Sequence, residues 1–167
     1  YNLRTKVIKN GDYSNRDNFD AAVDGYLTKL DIDLIVLAGF MRVLGKKITE
    51  KNNGKIINLH PSLLPLYPGL NTHKNVIINK DKIHGISIHY VSAELDAGPL
   101  IAQGIIKVKE DQNLDELIER IHKIEHMLLP EIIALICNED ITLKNNKVSY
   151  KKIDNTTNDI LVKNYEI

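Results

Sequence analysis

Apolar runs and stretches of helical periodicity alternate along the first part of the chain. Apolar positions recur at helical spacing between residues 19 and 30, and an unbroken apolar run follows at 34–38. A short helix is predicted at 46–51 and a second buried strand at 55–59. Unbroken apolar runs are typical of strands that are covered on both faces of a parallel sheet. This order of elements predicts a single α/β domain with a doubly wound, mostly parallel sheet.

The remaining elements follow from the same rules. They are a short strand at 6–8, a helix at 72–80, strands at 85–91 and 100–108, a helix at 114–136 and a hairpin at 140–150. Apolar and polar residues alternate at 85–91, which favours a strand with one less buried face. Pro130 is expected to break or kink the long helix. We expect residues 1–152 to form the domain and residues 153–167 a peripheral polar tail.

Composition narrows the class of protein. The 167 residues are 43% apolar and 26% charged with a formal net charge of zero, which is typical of a soluble globular domain. The chain has no apolar run of about 18 residues, so we expect no membrane partner. The balanced charge predicts no nucleic-acid partner. Cys137 is the only cysteine, which excludes an internal disulfide and favours the cytoplasm.

Two polar residues stand at the end of the strand predicted at 55–59. Asn58 and His60 are two positions apart, so their side chains share one face of the strand. An amide donor beside an imidazole can polarise a carbonyl group and move a proton. The alternative is that both residues only cap the strand. Ligands of such sheets bind beyond the carboxyl ends of strands, where residues 39–42 also lie.

The pattern H-x-x-E-H at His122, Glu125 and His126 raises a zinc alternative. At helical spacing, however, Glu125 falls within the apolar stripe of the predicted long helix, whose members are Leu114, Leu117, Ile118, Ile121, Leu128 and Ile132. A carboxylate in such a stripe is paired, protonated or bound to a ligand. We therefore favour a buried or substrate-facing Glu125 over a metal site.

Other polar residues allow a structural and a functional interpretation. Asp96 lies in a Gly/Pro loop at 94–99, where aspartate often stabilises a turn. His89 shares the polar side of its predicted strand with Ser87, which favours a solvent-facing position. Ser62 lacks the G-x-S-x-G context of a hydrolase nucleophile. The sequence contains no glycine-rich phosphate loop of the dinucleotide or P-loop type.

Four blocks of the sequence resemble the phosphoribosylglycinamide formyltransferase family. The blocks are residues 37–42, residues 58–69 with His73, residues 94–99, and Glu125-His126 followed by Pro130. The resemblance runs from about residue 10 to about residue 136. It implies a Rossmann-like formyltransferase fold and transfer of a formyl group from 10-formyltetrahydrofolate to the amine of 5-phosphoribosylglycinamide in purine (IMP) biosynthesis.

The resemblance also implies roles for individual residues. Asn58 would hydrogen-bond the formyl oxygen, and His60 would stabilise the oxyanion or donate a proton. Asp96 would stabilise the protonated form of His60 and help relay the proton. Glu125 and His122 would contact the glycinamide substrate. Residues that would bind the folate cosubstrate are Arg16, Met41, Arg42, Val43, Leu44 and Asn58, and no metal is implied.

The chain departs from the family pattern at three places. Asn71 stands where many members carry histidine, and His122 stands where some carry glutamine. The family opens with a strand and a Gly/Ser/Asn-rich loop that holds the substrate phosphate, and the resemblance implies that this chain starts after them. We therefore expect an N-terminally incomplete domain that lacks about a quarter of the usual length.

Three related functions remain open. A formyltetrahydrofolate deformylase is similar in fold and shares the Asn/His/Asp trio, but it passes the formyl group to water. Methionyl-tRNA formyltransferase has a further C-terminal domain that this chain lacks. A non-catalytic folate-binding remnant would keep residues 41–44. We expect small-molecule substrates, and a monomer or a weak homodimer.

Overall fold

The fold is a six-stranded sheet with helices on both faces and a separate hairpin. The computed structural model describes residues 2–151, 156–157 and 160–167. Its strands are β1 (Ile35–Ala38), β2 (Ile56–His60), β3 (Ile83–Tyr90), β4 (Leu100–Lys107), β5 (Ile141–Lys144), β6 (Lys147–Tyr150), β7 (Thr156–Thr157) and β8 (Ile160–Tyr165). Its helices are α1 (Arg16–Leu27), α2 (Lys46–Lys51), α3 (Thr72–Asn79) and α4 (Leu114–Cys137), preceded by a 3-10 turn at Asn10–Asp12.

The sheet has the strand order β1-β2-β3-β4-β8-β7. The pairs β1–β2 and β4–β8 are parallel, whereas β3 is antiparallel to both of its neighbours and β7 is antiparallel to β8. Four of the six described strands of this sheet therefore run in one direction: β1, β2, β4 and β8. The prediction of an α/β domain with a mostly parallel sheet is confirmed in this sense. The reversal of β3 has a consequence for the site, because it pairs His89 with Asn58.

Two hydrophobic clusters lie on opposite faces of the sheet. Ile57 belongs to one cluster and Ile56 to the other, and successive side chains of a strand point to opposite faces. The larger cluster contains the buried stripe of α4, namely Leu117, Ile121, Ile124, Leu128 and Ile132. The smaller one joins Leu44 and Ile48 to residues of α1. Helices thus cover both faces, and the predicted doubly wound arrangement is confirmed.

Helix α4 begins at a well-formed cap and continues past its proline. The Asn113 side chain accepts a hydrogen bond from the backbone N–H of Glu116 at 2.9 Å, which satisfies one of the free N–H groups of the first turn. Pro130 lies inside the helix, which continues to Cys137, so of the predicted break or kink at this residue the break does not occur. Among the described helices, none combines the length and apolar character that a membrane span requires.

Two predicted strand properties are wrong. Residues 6–8 form no strand, because no strand among the described residues pairs with them. Val7 and the nearby Leu3 are 73% and 76% exposed. Strand β3 has no solvent-facing side at its polar positions, since Ser87 and His89 are 0% and 2% exposed. The loop after β2 covers that side: Ser87 Oγ accepts from Leu64 N at 3.0 Å and donates to the Ser62 carbonyl at 2.7 Å.

The end of the chain is part of the sheet and not a peripheral tail. Strand β8 pairs in parallel with β4, and Leu161 is 2% exposed within the larger core cluster. Lys163 contacts Glu131 of α4 at 2.5 Å, and Arg120 Nε donates to the carbonyl of Ile167 at 2.8 Å. The prediction is therefore wrong for residues 160–167. The predicted boundary at 152–153 lies outside the described residues.

Replacement of Leu161 tests the place of β8 in the core. We expect Leu161→Ala to lower the free energy of unfolding by about 2–4 kcal/mol, because it removes a buried side chain and leaves a cavity. Urea unfolding measures this loss. The matched control is Leu3→Ala at an exposed position, for which we expect a change within about 0.5 kcal/mol. Equal effects of the two substitutions would contradict the buried position of Leu161.

Candidate active site

A cavity of about 980 Å³ opens beyond the carboxyl ends of β1 and β2. Its volume is at the upper end of the range for small-molecule sites. Five parts of the chain form its wall: the segment 37–44, the end of β2 at 58–61, residues 69–74 across the start of α3, the end of β3 with the loop after it (His89, Val91, Ser92 and 94–96), and one side of α4. The cavity therefore lies where ligands bind to open α/β sheets.

The three predicted catalytic side chains meet at this cavity. His60 Nδ1 lies 3.5 Å from Asp96 Oδ2, and the imidazole of His89 brings its Nε2 to 3.7 Å from Asp96 Oδ1. Asn58 Nδ2 lies 3.1 Å from the same His89 Nε2. Asn58, His60 and Asp96 thus form one cluster with His89. The side chains of His60 and Asp96 are only 6% and 10% exposed, so their interaction is weakly screened by water.

A backbone carbonyl fixes the orientation of His60. His60 Nε2 lies 2.9 Å from the carbonyl oxygen of Tyr67. A carbonyl oxygen only accepts hydrogen bonds, so Nε2 carries a hydrogen and donates it. The Nδ1 atom is then the ring nitrogen that faces Asp96. At 3.5 Å this contact is longer than an ordinary hydrogen bond, and a proton exchanged with a bound group would pass through Nδ1.

The loop that carries Asp96 is held closely against the end of β3. The backbone N–H of Gly69 donates to Asp96 Oδ2 at 2.8 Å. Asp96 itself adopts a left-handed backbone conformation with φ of 48°. A Cβ atom at Gly98 would lie 1.8 Å from the carbonyl oxygen of Tyr90, so only glycine fits there. The loop is therefore more than a surface turn, because its contacts hold the Asp96 carboxylate beside the imidazoles of His60 and His89.

His89 is a site residue that sequence reasoning missed. Its Nδ1 lies 2.9 Å from the carbonyl of Tyr90 and therefore carries a hydrogen. Burial lowers the pKa of His89, so the neutral ring presents a lone pair at Nε2. This lone pair accepts from the amide of Asn58, whose nitrogen carries a second hydrogen for a ligand. The signal for His89 is its register opposite Asn58, which requires the antiparallel pairing of β3.

The part of the cavity wall that α4 forms contains Glu125, the acidic residue predicted from the helical stripe. Glu125 is half-buried and lines the cavity, while Ile124 takes the core position beside it. Burial raises the pKa of Glu125, and the neighbouring His122 and His126 oppose this shift. His122 also lines the cavity. Within the described residues, no group of three or more His, Cys, Asp or Glu side chains is arranged to hold a metal ion.

The predicted cofactor-binding residues fall into two groups. Met41, Arg42, Val43 and Leu44 all line the cavity. Arg16 is not among the lining residues; it lies on α1, where its Nε is 3.8 Å from Asp17 Oδ1. The structure thus brings the 41–44 segment to the catalytic cluster and leaves Arg16 outside the cavity wall.

A buried histidine pair lies beside the cluster. His73 Nδ1 is 3.0 Å from His84 Nε2, and the rings meet edge to face. Burial, reinforced by the nearby His73 and His60, lowers the pKa of His84 from 6.5 to about 3. The folded state therefore keeps His84 neutral over a pH range in which the unfolded chain protonates it.

This shift predicts loss of stability in acid. As the pH falls from about 6.5 toward about 3, only the unfolded state gains the His84 proton, so the free energy of unfolding decreases by up to about 1.4 kcal/mol per pH unit. Urea unfolding between pH 7 and pH 4.5 should show a shallower loss for His84→Gln than for the unsubstituted chain. Leu3→Ala, at an exposed position that carries no titratable group, is the control and should leave the slope unchanged. Parallel curves for all three proteins would refute the assignment.

The family model and the relatives that match this chain agree on one family. The formyl transferase family model matches residues 2–133. The chain is 37% identical over 144 residues to the trifunctional purine biosynthetic protein adenosine-3 of Chironomus tentans, covering 86% of this chain and 10% of that protein. It is 35% identical over 144 residues to the phosphoribosylglycinamide formyltransferase of Escherichia coli, covering 86% and 68%. The chain thus spans about a tenth of the first relative and about two thirds of the second.

Solved structures show the same fold. The phosphoribosylglycinamide formyltransferase of Anaplasma phagocytophilum superposes with a TM-score of 0.84 at 34% identity, covering 99% of this chain and 76% of that one. A formyltetrahydrofolate deformylase of Pseudomonas syringae superposes with a TM-score of 0.76 at 25% identity, covering 81% and 46%. One neighbour is named as an enzyme that transfers a formyl group, and the other as an enzyme that removes one.

Proposed function

This chain belongs to the formyl transferase family, and we propose that it transfers a formyl group from 10-formyltetrahydrofolate to the amine of 5-phosphoribosylglycinamide in purine biosynthesis. Relatives named for this reaction support the choice of substrates. The observation that carries the proposal is the convergence of an amide, an imidazole and a carboxylate on one cavity wall. Acyl transfer between two amines needs an oxyanion stabiliser and a proton carrier, and these groups supply both.

The proposed reaction proceeds through a tetrahedral intermediate. The substrate amine attacks the formyl carbon, a new C–N bond forms, and negative charge develops on the formyl oxygen. The second N–H of the Asn58 amide and the protonated ring of His60 stabilise that charge. The attacking nitrogen must lose a proton and the folate nitrogen must gain one before the old C–N bond breaks. Asp96, beside His60 Nδ1, accepts and relays that proton.

Two separate parts of the cavity wall suggest where the two substrates bind. We place the folate against the segment 41–44, whose residues line the cavity next to the catalytic cluster. Arg16 would contact folate only outside the cavity wall. We place the glycinamide substrate beside Glu125 and His122 on α4. This arrangement brings the amine and the formyl group together at Asn58 and His60.

A second candidate is hydrolysis of 10-formyltetrahydrofolate, which the structural similarity to a deformylase supports. The two reactions differ in the acceptor. Formyl transfer requires the glycinamide substrate for turnover, whereas the hydrolase releases formate in water alone. The likeness is weaker, at 25% identity against 35% for the Escherichia coli transferase, and we therefore favour transfer.

The test measures tetrahydrofolate release with and without the glycinamide substrate, and formate in parallel. Because the chain spans about two thirds of the Escherichia coli relative, it is assayed alone and fused behind that relative's N-terminal segment. We expect turnover only with the amine present, in at least one of the two forms. Formate release that does not depend on the amine would favour the hydrolase. Folate binding without either product would favour a non-catalytic protein.

Asp96→Asn tests the proton relay. The asparagine keeps the size of the side chain but cannot accept the proton, so we expect kcat to fall about 10²–10⁴-fold while folate binding stays within about threefold. Initial rates at saturating substrate and a binding titration measure the two quantities. Asp115→Asn, at an exposed position on α4, is the control and should retain full activity. Weakened folate binding with unchanged kcat would exclude the relay role.

A further inference from the structure

The cavity segment 40–44 has no regular secondary structure. Contacts with residues of α1 hold it in place. The backbone N–H of Gly45, directly after the segment, donates to Asp20 Oδ2 at 2.6 Å. Asp20 is 7% exposed and lies on α1, 25 residues earlier in the chain. A buried carboxylate is costly unless it is hydrogen-bonded, and a bond to an ionised acceptor is about twice as strong as a neutral one. This contact therefore ties the end of the segment firmly to α1.

The residue before Asp20 provides a second contact with the same segment. Phe19 is 5% exposed, and the guanidinium carbon of Arg42 lies 5.4 Å from the centre of its ring. This distance falls within the range of a cation–π interaction. Two neighbouring residues of α1 thus hold the segment at residue 42 and immediately after its end. Backbone groups between these two points are free of helix or strand hydrogen bonds and can face a ligand.

A separate link between α1 and α2 provides a contrast. Lys51 Nζ lies 2.9 and 2.7 Å from the two carboxylate oxygens of Asp24 and 2.7 Å from Thr28 Oγ1. This link joins the far ends of the two helices and does not touch the segment 40–44. Loss of Asp24 therefore removes a helix–helix contact of similar chemistry and leaves the cavity wall in place.

We propose that Asp20 is a positioning residue for the folate side of the cavity, because its carboxylate fixes the wall segment 40–44 through the Gly45 amide; this inference rests on the proposed function. Asp20 is not among the residues that line the cavity, so it acts through Gly45 and touches no ligand. Its effect falls on folate affinity. The chemical step at Asn58, His60 and Asp96 lies on β2 and the 94–99 loop and does not depend on it.

The experiment compares Asp20→Ala, Asp20→Asn and Asp24→Ala. We expect Asp20→Ala to raise the Kd and KM for 10-formyltetrahydrofolate about tenfold or more, while kcat at saturating folate and the KM of the amine stay within about threefold. Asp20→Asn should lose less affinity, because its amide oxygen can still accept from the Gly45 N–H. Asp24→Ala should lower the melting temperature without a change in folate affinity.

Amide hydrogen exchange supplies a readout that does not need a ligand. Asp20→Ala should speed exchange at residues 41–45 relative to Asp24→Ala. Folate affinity of Asp20→Ala equal to that of the unsubstituted chain, or an equal loss in Asp24→Ala, would overturn the inference. If neither the unsubstituted chain nor its fused form binds folate, the proposed function fails, and the exchange comparison still decides whether Asp20 positions the segment.

Discussion

The hydrogen bond from the Gly69 N–H to Asp96 Oδ2 holds this carboxylate beside two buried imidazoles, and the geometry of the site depends on it. His60 and His89 approach the two carboxylate oxygens at 3.5 and 3.7 Å, while the Gly69 N–H donates to one of them. A charge with so little exposure is tolerated only when its partners are fixed. Each partner comes from a different part of the chain, so the cluster requires β2, β3 and two loops to be in place at once.

The loop that follows β2 is held by a buried polar network. Ser87 Oγ bonds to the backbone of Ser62 and Leu64, and Gln103 Nε2 donates to both the Leu64 carbonyl and Ser87 Oγ. A fully satisfied network of this kind makes a buried segment rigid. Beyond it, the Tyr67 carbonyl receives the hydrogen of His60 Nε2, and this sets which ring nitrogen faces Asp96. The strand β3 therefore helps to set the geometry of the site through residues other than Asn58, His60 and Asp96.

Local pattern predicted those elements whose partners are near in sequence or whose apolar runs are long. Strand β2, helix α4 and the hairpin β5–β6 are examples. The failures depend on distant contacts: β8 is stable only on β4, and the polar side of β3 is buried only by the loop after β2. The two-residue period of a strand predicted that the side chains of Asn58 and His60 share one face of β2. His89 joined them only through antiparallel register, and Asp96 was assigned through the family resemblance.

The most direct test of the central claim is a crystal structure of the chain with a stable 10-formyl folate analogue. The account predicts the formyl oxygen within about 3.2 Å of Asn58 Nδ2, the formyl carbon facing His60 Nδ1, and the ring system of the folate against residues 41–44. A formyl group bound beside Glu125 and away from Asn58, or a ligand that leaves Asn58 and His60 without contacts, would contradict it.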